Sequence, residues 1–84
     1  MDEREIIDLS NEIIDGLTKL VLSEKPGMLS GKVFKSLGEH SKFSEMKFLY
    51  ADFVRDFKGG YASTEDLKKL TDFRYKLVDL FNQN

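Results

Sequence analysis

The chain has 84 residues, with 13 Lys and Arg against 15 Asp and Glu, one His, one Pro and no Cys. At that length it is expected to form one domain, residues 1–84, burying only roughly 60% of its unfolded surface and leaving little material for a deep catalytic cleft. The lack of cysteine excludes a disulfide framework, a thiolate nucleophile and sulfur-ligated zinc, while 40% hydrophobic and 33% charged residues describe an ordinary soluble globular chain.

The first element opens at Asp2, which with Glu5 resembles a capping pair. Ile6, Leu9, Ile13, Leu17 and Leu20 then recur at three- and four-residue steps, flanked by Ile7, Ile14 and Val21. This predicts a long amphipathic helix over about 2–23. Gly16 lies inside it at a cost of nearly 1 kcal/mol relative to alanine, which a close approach by a neighbouring helix would explain. The acidic start MDEREIID lacks the basic character of a secretory signal, and no apolar run approaches the roughly 20 residues of a membrane span, so the expected location is cytoplasmic.

Glu24, Lys25, Pro26 and Gly27 break this helix. A short second helix is expected from about Met28 to Leu37, with Leu29, Val33 and Leu37 on one stripe, Phe34 beside them and Gly38 as the stop. Ser41 or Ser44 is expected to cap a third, aromatic-rich helix running to about Lys58, ahead of Gly59 and Gly60. At about 100° per residue, Phe43, Met46, Leu49, Tyr50, Phe53, Val54 and Phe57 share its inward face. Phe48 falls on the opposite side, among Glu45, Asp52 and Arg55.

Ser63 is a natural N-cap for the fourth helix, expected over 64 to about 82, with Glu65 and Asp66 favouring the positive end of the helix dipole. Its apolar stripe is Leu67, Leu70, Phe73, Leu77, Val78, Leu80 and Phe81. No useful period-two alternation occurs. The expected fold is therefore all-α, a compact bundle of about four helices in which the first, third and fourth are long and the second is short.

Charge is distributed unevenly. Residues 1–16 hold six acids against Arg4, whereas Lys19, Lys25, Lys32, Lys35, Lys42 and Lys47 face only Glu24, Glu39 and Glu45 over the next stretch. Solvated faces that pair internally across the bundle are the expected account, and a charged patch for a partner is the alternative. Nucleic-acid binding through Lys32, Lys35, Lys42 and Lys47 is a runner-up reading, disfavoured because the whole chain is acidic and Arg55 is the only arginine between residues 5 and 73.

No arrangement expected for an enzyme stands out. His40, the only histidine, lies in the polar turn Gly38-Glu39-His40-Ser41 and reads as a solvated residue with no second ligand for a metal and no nucleophile to serve. No carboxylate pair is placed in an apolar pocket. FKGGY lacks the strand and the Gly-Lys-Ser/Thr ending of a phosphate loop. No catalytic residue, cofactor or metal is expected.

Phe48 is either core, covered by the first two helices, or an aromatic anchor for a partner or a second copy, with Glu45, Asp52 and Arg55 as a charged rim. Tyr61, beside the two glycines, and Tyr75, off the fourth helix's stripe, are the further candidates for contact with a partner. Arg74 interrupts that stripe; its stem is expected to pack on the core while its guanidinium reaches out or pairs with a carboxylate of another helix, Asp15 or Glu12 being candidates, and the alternative is an acidic group of a partner.

In size and in its lack of catalytic groups the chain is similar in kind to small helical immunity proteins, antitoxins and phage-encoded inhibitors, with no shared motif. The expected function is a non-enzymatic module that binds a partner protein. A homodimer in which Phe48 meets its symmetry mate is the other alternative.

Overall fold

The computed structural model describes residues 2–56 and 64–83. Four helices follow in chain order: α1 (Glu3–Val21), α2 (Phe34–Gly38), α3 (Phe43–Asp56) and α4 (Thr64–Phe81), with no strand among the described residues. The all-α bundle is thus present. The Gly59-Gly60 stop, the Ser63 cap, Phe57 and Tyr61 lie outside the described residues. No described helix is long and apolar enough to cross a membrane.

α1 begins as its sequence suggests, with Asp2 Oδ1 accepting the Glu5 N–H at 2.8 Å, which satisfies one of the four amides that a helix start leaves open. It ends before the Pro-Gly break. Glu24 N–H donates to Lys19 C=O at 2.7 Å and Ser23 N–H to Leu20 C=O at 3.2 Å, while Ser23 takes the left-handed conformation at φ 56°. This paired closure normally places glycine at the left-handed residue, because a Cβ there costs roughly 1–2 kcal/mol. Ser23→Gly is therefore expected to raise stability by about 0.5–1 kcal/mol in a urea melt; an unchanged or lowered midpoint would contradict this account of the stop.

The second helix is shorter than its sequence suggests. Residues 28–33 form turns, in which Ser30 C=O accepts from both Val33 N–H and Phe34 N–H at 3.1 and 2.8 Å, and regular α2 starts only at Phe34. No side chain caps it, and Gly31 lowers the helical preference of the turn before it. Val33 and Leu37 still reach the core, but Leu29 remains 53% exposed.

One hydrophobic cluster joins all four helices: Ile6, Ile13 and Leu17 of α1, Val33 and Leu37 at α2, Met46 of α3, and Phe73, Leu77 and Val78 of α4. Gly16 is buried where α2 crosses α1. A Cβ there would lie 2.5 Å from Leu37 Cδ1 and 3.6 Å from Ser30 Cβ, so glycine permits the approach. α3 and α4 run antiparallel, since Glu45 and Leu49 share a groove with Leu80 and Gln83, while Phe53 stacks on Phe73 and Asp56 lies toward Lys69.

His40 corrects the expectation of a solvated turn. It is buried, and its ring stacks on Phe81 with centroids 5.4 Å apart. Nδ1 accepts the Lys42 N–H at 2.9 Å, so Nε2 carries the proton and donates to Phe81 C=O at 2.7 Å. One imidazole thus holds the amide just before α3 and ties the last turn of α4 to the α2–α3 connection.

Candidate protein-interaction surface

α3 is fixed from its inner side. Met46 is fully buried, and the Phe53 ring lies on Phe73 at 4.0 Å with planes 2° apart. Tyr50 reaches α1, its hydroxyl 2.8 Å from Thr18 Oγ1; because that threonine proton goes to Ile14 C=O, Tyr50 is the donor. With positions 46, 50 and 53 turned inward, helical periodicity carries position 48 outward. Phe48 is 73% exposed, so neither α1 nor α2 covers it.

The ring does not stand alone. Phe48, Lys47, Tyr50 and Ala51 of α3 line a shallow depression with Val21 from the end of α1. Val21 and its neighbour Leu22 are both exposed. Val54, expected on the inward face, is 52% exposed as well, since no described helix lies far enough around α3 to cover it. Beside Phe48, Arg55 Nη2 meets Asp52 Oδ1 at 3.0 Å and its Nε lies 3.5 Å from Asp56 Oδ1, with all three side chains open to solvent. Such pairs contribute roughly 0–1 kcal/mol and exchange partners at little cost. Phe48, Asp52 and Arg55 therefore lie close together on the outer side of one helix.

Tyr75 belongs elsewhere. It lines a second depression with Ile7 of α1 and Leu67 of α4, which shares no residue with the Phe48 depression. Leu67, expected in the core, is 52% exposed there. Next to it, Arg74 behaves differently from the expected ion pair. Its Nη1 donates to Ser10 Oγ and Asn11 Oδ1, both at 2.7 Å, and lies 3.4 Å from Ile7 C=O. Ser10, fully buried, passes its own proton to Ile7 C=O at 2.8 Å. The guanidinium is thus held by neutral acceptors on α1, and Asp15 is turned toward the loop after that helix, where a Cβ on Gly27 would lie 3.6 Å from its Oδ2.

Sequence reasoning missed a third feature, the groove between α3 and α4. Two adjoining depressions share Leu49, Asp52 and Lys76 and run together from Glu45 and Gln83 at one end to Asp56 and Lys69 at the other. Their apolar floor is Leu49, Phe53, Phe73 and Leu80; their charged rim is Glu45, Asp52, Asp56, Asp72 and Asp79 with Lys69 and Lys76. The signal in the sequence was the Asp-Phe step at 52/53 and again at 72/73, which puts a carboxylate beside an inward aromatic on both helices. Among the described residues no three His, Cys, Asp or Glu side chains gather as metal ligands do.

No protein-family model matches the chain, and neither curated proteins nor solved structures provide a match.

Proposed function

We propose that this chain is a non-enzymatic protein-binding module of the inhibitor, immunity or regulatory kind, and that it engages its partner through the outer face of α3. The supporting observation is Phe48, a phenylalanine 73% exposed within an apolar depression rather than isolated on a polar surface. Burying such a ring against a partner yields about 1.5–3 kcal/mol, and an aromatic centre with a charged rim is the common arrangement of residues that dominate binding. Asp52 and Arg55 supply that rim.

The nucleic-acid reading fits this geometry less well. Lys42 is paired with Glu45 at 3.4 Å and Lys47 sits over the Phe43 ring, while Glu45, Asp52 and Asp56 on the same helix would repel phosphate. Binding to a duplex that falls steeply with salt would favour it instead.

Phe48→Ser tests the proposal. Because the ring is exposed, the substitution is expected to change stability by no more than about 0.5 kcal/mol, yet to weaken partner binding by at least about 2 kcal/mol, or roughly 30-fold. Melting of both proteins, sedimentation across a concentration series, and comparison of the proteins each captures provide the measurements. A large fall in melting temperature would return Phe48 to the core, and identical capture by both would remove it from the binding surface. A native dimer that the substitution converts to a folded monomer would make the partner a second copy.

A further inference from the structure

The α3–α4 groove shares no lining residue with the Phe48 depression, although Asp52 borders both, and it has its own chemistry. We infer that it receives a cationic amphipathic helix of a partner protein, seated along α3 and α4 with apolar residues on the groove floor and lysines or arginines against its rim.

Shape, floor and charge agree on this occupant. From Glu45 to Asp56 the α3 wall is about 16 Å long at 1.5 Å per residue, or three helical turns. Leu80, Leu49 and Phe53, all partly buried against the core, succeed one another along it, which suits apolar side chains spaced at one per turn on a docked helix. On the rim, five carboxylates stand against two lysines, leaving three negative charges uncompensated by the lining itself. Asp72 and Asp79 make no ion pair among the described residues, and Glu45, Asp52 and Asp56 are engaged only by Lys42 and Arg55 at exposed positions. A neutral occupant would desolvate Asp72 and Asp79 without a compensating cation, and an acidic one would meet repulsion. A second copy is a poor fit for the same reason: α1, its most regular amphipathic helix, carries five acids against Arg4 and Lys19.

The probe is a synthetic amphipathic peptide of about 14 residues, with leucine at every third or fourth position and lysine and alanine elsewhere, titrated into the isotope-labelled native chain. Amide shifts are expected to be largest at Glu45, Leu49, Asp52, Phe53 and Asp56 of α3 and within 69–83, and smaller at Lys47, Phe48 and Ala51, saturating at one peptide per chain and weakening as salt rises from about 50 to 200 mM. The same peptide composition in an order without the apolar stripe is expected to bind at least roughly tenfold more weakly. The double substitution Asp72→Asn with Asp79→Asn, checked for unchanged melting, is expected to weaken the striped peptide by a similar factor, whereas Phe48→Ser leaves it unaffected. Shifts centred on α1 or on the Phe48 depression, equal binding of the two peptides, indifference to the double substitution, or no shift at millimolar peptide would each overturn the inference without touching the proposal for Phe48.

Discussion

Phe73→Ala is expected to lose about 3–5 kcal/mol of stability, the usual cost of truncating a buried phenylalanine. Phe73 is only 4% exposed and lies under Phe53, ring to ring, at the centre of the α3–α4 contact. Its removal opens a cavity and also leaves Phe53 without the surface it stacks on, a pairing that adds about 0.5–1.5 kcal/mol beyond area alone. For a domain of this size each kcal/mol moves the melting temperature by about 4–8 °C, so a fall of more than about 12 °C is the expected reading. The contrast with Phe48 makes the test sharp. Both are phenylalanines on long helices, but one holds two helices together and the other meets solvent; similar melting temperatures for Phe73→Ala and Phe48→Ser would mean that the orientation of α3 described above is wrong.

That orientation was half legible in the sequence. Periodicity put Met46 and Phe53 inward and Phe48 outward, and it also placed Ile6, Ile13 and Leu17 on one side of α1; the structure has them so. Periodicity could not say how wide an arc of each helix finds a partner. Leu29, Val54 and Leu67 satisfy the pattern and are more than half exposed, because so small a bundle has fewer covering surfaces than apolar stripes. Polar residues were harder still. His40 reads as solvated from its neighbours Glu39 and Ser41, and its burial depends on Phe81, which is 41 residues away in sequence. For Arg74 the sequence leaves solvent, a carboxylate of another helix and a partner all open, and only the register between α1 and α4 decides that Ser10 and Asn11, and neither Asp15 nor Glu12, receive it. The α3–α4 groove likewise needs the antiparallel pairing before its carboxylates stand on facing rims.

Gly16→Leu is expected to prevent stable folding. At Gly16 even a single added carbon would stand 2.5 Å from Leu37 Cδ1, with Val33 Cγ2 at 3.8 Å as well as the Ser30 Cβ behind it, and Leu37 and Ser30 are themselves fully buried. Alanine asks one side chain to give way. The roughly 1 kcal/mol it gains in helix preference is set against an overpacking cost of about 1–3 kcal/mol, so Gly16→Ala should melt at or below the native temperature. Leucine adds three more carbons with no free volume to take them, and the turns at 28–33 together with α2 must lift from α1. A chain of 84 residues has a total stability of about 4–13 kcal/mol at typical values per residue, and the separation of α2 from α1 exposes Val33 and Leu37 at about 1.5–3 kcal/mol each. Combining Gly16→Ala with Leu37→Val isolates the contact. If the clash at Leu37 is what opposes alanine, the double variant is more stable than the sum of the two single effects, by about 0.5 kcal/mol or more. Strict additivity, or a Gly16→Ala variant stabilised by the full helix-preference term, would show that α2 does not press on α1 at Gly16.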